Sequence, residues 1–194
     1  MLQRSNDSKF PSLTDRFVQY AKVMTQADES SESYPSSACQ LDLARILVSD
    51  LQELGIDNAS VDKSGYVTAS IPANDPAFEN VPVIAFMAHM DTYPEVSGEN
   101  VVPTFHENYQ GGDIALPNDG VVIKASENPY LAECVGETII TADGTTLLGA
   151  DDKAGVAEIL EAMTRIVENP DFKHGPFKIA FTPDEEVGAG VKYF

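Results

Sequence analysis

Three short apolar runs in this sequence break off into acidic residues, and a chain with that pattern is confined to folds in which strand ends converge. Val83-Ile84-Ala85-Phe86-Met87-Ala88, bounded by Pro82, leads into His89-Met90-Asp91. Thr146–Leu148 leads into Gly149-Ala150-Asp151-Asp152-Lys153, and Phe177–Phe181 into Thr182-Pro183-Asp184-Glu185-Glu186. The first run, continuously apolar, reads as a strand buried on both faces.

Helical periodicity fills the intervals. Thr14 to Thr25 carries Phe17, Tyr20, Ala21 and Met24 at helical spacing, with Thr14 as its cap. A second helix is predicted from about Ala38, with Leu41, Ala44, Leu47, Leu51 and Leu54 on one face and Gly55 at its stop. A third covers Ala154–Val167, with Ile159, Ala162, Met163 and Ile166 inward. Ala59–Val61 and Tyr66–Ile71 flank a Gly-containing turn and predict a hairpin; Thr138–Thr141 and Thr146–Leu148, flanking Asp143-Gly144, predict another. Helices alternating with buried strands predict an α/β fold, a layered α/β/α domain on a mostly parallel mixed sheet. Residues 1–13 read as a polar extension and 14–194 as one domain. The acidic, serine-rich stretch 26–37 reads as a solvated loop. Residues 92–137 show no sustained periodicity, and a connection of that length carries function or short elements of its own.

Charge narrows the function classes. Twelve Lys and Arg against 31 Asp and Glu give a net charge of −19, spread over both halves. That excludes a nucleic-acid surface, which needs a basic stripe, and it excludes an acidic tail. Cys39 and Cys134 are far apart, with no second Cys or His at ligand spacing, so neither a disulfide framework nor a thiolate zinc site is indicated. With no signal-peptide core in the first 13 residues and no run of about 18 apolar residues, a soluble protein of the reducing cytoplasm, without membrane contact, is expected.

In open α/β sheets ligands bind beyond the carboxyl ends of the strands, which is where the acidic clusters lie. Taken singly, each has a plain structural explanation: a hydrogen-bonded histidine, a helix cap at Asp151-Asp152, a charged turn at Glu185-Glu186. Together they would crowd carboxylates around one imidazole with only Lys153 among them, and such crowding is costly unless a cation fills the gap. A mixed imidazole and carboxylate set suits zinc better than calcium or magnesium. Asp91, two residues after His89, is placed to accept from the far ring nitrogen and orient a ligating imidazole. Glu185 and Glu186 cannot both reach one atom, so one would bind metal while the other serves as general base toward an activated water; the residues leave open which is which. His106 and His174 lack such a setting and read as surface residues. A G-x-S-x-G elbow, an H-E-x-x-H helix, a phosphate loop and a G-x-G-x-x-G fingerprint are all missing.

The segments AHMDT (Ala88–Thr92), LLGADDKAG (Leu147–Gly155) and TPDEEVGAG (Thr182–Gly190) resemble the signature of the di-zinc metallopeptidases related to carboxypeptidase G and aminoacylase. ENYQGGDIALP (Glu107–Pro117) and TLLGADDKAGVAEI (Thr146–Ile159) narrow the likeness to the peptidase T family of tripeptide aminopeptidases, from about Phe10 to Phe194. The resemblance implies a zinc-exopeptidase-like catalytic domain holding two zincs. His89 would bind one zinc, Asp151 bridge both and Glu186 bind the other; Asp91 would orient His89, and Glu185 would be the general base. It also implies a cis peptide between Asp151 and Asp152. Two further ligands, an Asp and a His, are expected further along the chain, the His beyond an inserted lid and dimerisation domain. On that basis 14–194 is the N-terminal part of a catalytic domain, inactive by itself, of a homodimeric cytoplasmic enzyme acting on tripeptides. A related exopeptidase or deacylase with another substrate, and a non-catalytic metal-binding module, are the alternatives.

Overall fold

A computed structural model describes residues 4–5 and 7–194. Helix α1 covers Leu13–Ala21, and its start is set by a reciprocal capping box: Ser12 Oγ accepts from the Asp15 amide at 3.1 Å and Asp15 Oδ2 accepts from the Ser12 amide at 3.1 Å. Ser12, not Thr14, is therefore the cap. The helix stops well short of Thr25 because the chain turns there to pair with another segment. The Thr92 amide donates to the Thr25 carbonyl at 3.1 Å and the Ala27 amide to the Thr92 carbonyl at 3.0 Å. Helix α2, Gln40–Glu53, buries Leu43, Ala44, Leu47 and Leu51; Leu43 takes the inward position and leaves Leu41 on the flank.

Strands β1 (Ser60–Val61) and β2 (Val67–Ile71) form the expected hairpin. Strand β2 pairs antiparallel with β8 (Phe177–Thr182), and β8 pairs parallel with β3 (Ile84–His89), giving the mixed order β1-β2-β8-β3. The α/β class and the mixed sheet are as expected. Alternation puts Val67 and Ala69, Ile179 and Phe181, Phe86 and Ala88 on one face, and all of them join one core with α1, α2 and α3 (Ala150–Glu168). Within that core Leu43, Leu47, Leu51, Leu160 and Met163 are fully enclosed. Among the described residues the helices lie on this face. On the opposite face, Thr68, Ser70, Ala85, Met87, Lys178 and Ala180 line a shallow depression.

Strand β3 departs from its expected burial. It is an edge strand of the four, so Ile84 and Met87 remain about half exposed, at 53% and 48%. Continuous apolarity identified the strand correctly but not its place in the sheet.

Between β3 and α3 the chain makes two small two-stranded sheets. Strand β4 (Thr104–His106) pairs with β7 (Ile139–Thr141), and β5 (Ile114–Ala115) with β6 (Val122–Ile123). The second predicted hairpin does not form, because β7 pairs with β4 and residues 146–148 are not a strand. Asp143 explains the difference: its carboxylate accepts from the Thr145 amide and hydroxyl at 2.9 and 2.7 Å and from Asn118 Nδ2 at 2.9 Å, which turns the chain away from a two-residue hairpin. His174 is also not a surface residue. It is 7% exposed, stacked between Phe172 and Phe177, with Nδ1 at 2.8 Å from the Gly175 carbonyl. His106 is half-buried, with Nε2 at 3.0 Å from Thr141 Oγ1.

Of the polar extension, residues 1–3 and 6 lie outside the described residues. Arg4 within it is paired to Glu161 of α3, and its Nη2 donates to Ser8 Oγ at 3.0 Å. No helix among the described residues is long and apolar enough to cross a membrane. Leu160 is fully buried where α3 meets the sheet. Leu160→Ala is expected to cost about 3 kcal/mol, read as a lower urea midpoint at unchanged m-value.

Candidate metal centre

The parallel pairing of β3 with β8 decides where the candidate residues meet. In register, His89 lies opposite Thr182, and the Met90 amide donates to the Thr182 carbonyl at 2.8 Å. Both strands therefore finish at the same edge, one delivering His89 and Asp91 and the other Asp184, Glu185 and Glu186. The third group comes from the start of α3. Gly149 takes a left-handed conformation with φ +76°, a turn that a side chain would strain, and residues 151 and 152 are not yet helical. The Asp151–Asp152 peptide is cis, as the resemblance implied. Asp152 follows, its carboxylate packed against Gly155 at the start of the regular helix. A Cβ on Gly155 would lie 2.4 Å from Asp152 Oδ1, so only glycine admits this carboxylate.

Asp91 ties the pieces together. Fully buried, its carboxylate accepts from the Glu185 amide at Oδ1 and from the Glu186 amide at Oδ2, each at 3.0 Å. His89 Nδ1 sits 3.1 Å from the Asp91 carbonyl and 3.4 Å from Asp91 Oδ1. Nε2 is thereby turned toward Asp151, 3.0 Å from its Oδ1. Among the described residues, His89, Asp151 and Glu186 each offer a ligand atom, all within 4.8 Å of one another, and this donor set could hold a metal ion. Glu185 stands beside them, with Oε2 3.9 Å from His89 Nε2 and a side chain 59% exposed.

Among the described residues no Lys or Arg forms an ion pair with this group. Lys153, the cation nearest in sequence, is 1% exposed and turns away to donate from Nζ to the Val23 carbonyl at 2.7 Å; burial lowers its pKa to about 8. Burial also pushes the carboxyls of Asp152 and Glu186 up. At His89 burial works against the charged ring, but the hydrogen bond and charge of Asp91, followed by Asp151, outweigh it and raise the pKa to about 9. A cavity of about 490 Å³ between the 24–39 segment and Pro94-Glu95 contains none of these donors.

The sequence reading did not find Ser36, Gln40 and Asp184, which brace the Glu185-Glu186 loop from behind. Asp184 stood inside an acidic cluster already noted, but nothing in the sequence links it to Ser36, 148 positions away.

Comparisons with known proteins bear on this arrangement. No protein-family model matches the chain. Over 183 residues it is 50% identical to a peptidase T of Geobacillus kaustophilus and to one of Halothermothrix orenii, and 49% to one of Listeria monocytogenes, in each case 94% of this chain and 44% of the relative. The chain thus spans less than half the length of the curated relatives it matches. Among solved structures it superposes on the aminopeptidase PepT of Bacillus cereus with a TM-score of 0.63 at 24% identity, and on a tripeptidase of Staphylococcus aureus with 0.62 at 23%. Each superposition covers 94% of this chain and 39% of the other. These two likenesses establish the fold, and the resemblance to peptidase T read from the motifs holds along nearly the whole chain.

A raised His89 pKa sets a direction for pH dependence. Protonated His89 stabilises the metal-free fold fully below its ordinary 6.5, and this contribution disappears as pH rises through about 9. A metal ion bound there would have to displace that proton, so affinity for an added divalent ion, measured by calorimetry, is expected to rise about tenfold per pH unit below that value and to level off above it.

Proposed function

We propose that this chain, a homologue of peptidase T, is the part of a zinc aminopeptidase catalytic domain that carries three metal ligands and the general base. The observation that carries this reading is the convergence of His89, Asp151 and Glu186 within 4.8 Å, with Lys153 turned away. The donor chemistry fits zinc: one imidazole held by an outer carboxylate, plus carboxylates whose mutual repulsion a divalent cation relieves. When bound, zinc would act as a Lewis acid that polarises the scissile carbonyl and makes an attacking water more acidic.

The protein groups divide the remaining work. Asp91 holds the His89 ring with Nε2 toward the metal position. Asp151, its side chain 87% exposed and its Oδ1 3.0 Å from His89 Nε2, would be shared between two zinc ions, and Glu186 would serve the second. Glu185 lies outside the donor triangle yet beside it. That placement suits a carboxylate that accepts the proton lost by water on attack and returns it to the leaving amine.

We further propose that residues 14–194 form the N-terminal part of the domain, that the remaining ligands lie elsewhere in the whole protein, and that its substrates are tripeptides cleaved at the N-terminal residue. A homodimer is the proposed assembly. Cys39 and Cys134, both unpaired, are in keeping with a reducing cytoplasm.

In the whole protein, Glu185→Gln is expected to lower kcat by about three orders of magnitude while leaving the zinc content unchanged. Asp151→Ala is expected to lose metal and activity together. A tripeptide panel with metal analysis checks both. Turnover of acylated amino acids with no tripeptide cleaved, or full activity in Glu185→Gln, would overturn the reading.

A further inference from the structure

Asp184 is a buried carboxylate that the chemistry above does not use. It is 1% exposed, adopts a left-handed backbone with φ +57°, and makes no ion pair among the described residues. Burying an unpaired carboxylate is costly unless donors satisfy it. Here all the donors come from one short segment. Asp184 Oδ2 accepts from the Ser36 amide at 2.7 Å, and Oδ1 accepts from Ser36 Oγ at 2.5 Å and from Gln40 Nε2 at 2.7 Å. Gln40 Oε1 in turn accepts from the Asp184 amide at 3.1 Å. Ser36 and Gln40 are themselves buried, at 8% and 0% exposure, so the cradle is closed to water.

What the cradle holds is the start of a tight turn. The Gly188 amide donates to the Glu185 carbonyl at 2.8 Å and the Ala189 amide to the Asp184 carbonyl at 2.9 Å. The two amides that follow Asp184 are those that grip Asp91. A shift of Asp184 would therefore move the Glu185 and Glu186 backbones, loosen Asp91 and release the ring of His89. Four hydrogen bonds to one non-glycine residue in the left-handed region are a means of holding such a conformation in place.

We propose that Asp184 is a positioning residue for the metal centre: clasped by Ser36 and Gln40, it aims the Glu185 and Glu186 amides at Asp91 and their side chains at the metal position. This inference rests on the metal-centre reading, but its geometric core can be read without metal.

The test is amide hydrogen exchange by NMR on the metal-free 194-residue chain. In Asp184→Asn the Glu185 and Glu186 amides should lose protection about tenfold or more, while Leu160, which reports global opening, changes less. Gln40→Glu added to Asp184→Asn returns a carboxylate to the cradle and should recover most of the loss. If Asp184→Asn does not fold, Ser36→Ala, which keeps the Ser36 amide donor but removes the hydroxyl that donates to Asp184 and accepts from the Asp28 amide and Gln40 Nε2, should still give a loss of about fivefold at the same two amides.

Zinc affinity supplies the second readout. It should fall about tenfold in Asp184→Asn and stay within about twofold in Leu51→Ala, a core variant with a comparable fall in Tm. Wild-type exchange at Glu185 and Glu186 in these variants, or a loss spread equally over Leu160, would overturn the proposal and leave Asp184 an ordinary stability residue. A wild-type chain that binds no zinc would defeat the metal-centre reading, while the exchange measurement would still decide the role of Asp184.

Discussion

A carboxylate as deeply buried as that of Asp91 is stable only while donors surround it, and its donors are the amides of Glu185 and Glu186 together with the ring of His89. One side chain thus couples the end of β3 to the loop after β8. It draws the two glutamates to the imidazole and fixes which ring nitrogen faces outward. The consequence is electrostatic. Asp151 and Glu186 are left beside His89 Nε2 with Lys153 engaged elsewhere, and in a metal-free protein a proton held on His89 relieves part of the crowding. A divalent cation removes that compromise, since it satisfies the carboxylates and the imidazole together.

The fold serves this convergence through three separate devices. Parallel pairing in register brings two strand ends to one level, the left-handed turn at Gly149 sets Asp151 beside His89, and the Ser36–Gln40 cradle steadies the loop that carries the glutamates. None of the three belongs to the hydrophobic core, yet each is anchored to it: β8 through Ile179 and Phe181, α3 through Val156 and Leu160, α2 through Leu43 and Leu47. Core packing thus fixes the distances on which the site depends.

The sequence made the site more legible than the surroundings that build it. Apolar runs ending in His89, Glu185 and Glu186 marked the strand ends, because burial and the break into charge are both local signals. The neighbours of a strand are not a local signal. The burial of Ile84 and Met87 was misjudged, since an edge strand and a central one can share the same apolar composition. The Asp143-Gly144 turn was misread as a hairpin because it lies next to a β-type segment, although that segment's partner, β4, is more than 30 positions upstream. The clasp of Asp184 by Gln40, 144 positions apart, is visible only once the chain is folded.

The central claim is that His89, Asp151 and Glu186 hold a metal ion, and the most direct measurement is anomalous diffraction at the zinc edge from crystals of this chain grown with zinc. The account predicts a peak about 2.0–2.2 Å from His89 Nε2 and from carboxylate oxygens of Asp151 or Glu186. No peak within reach of His89, with zinc held at other surface carboxylates, would contradict it.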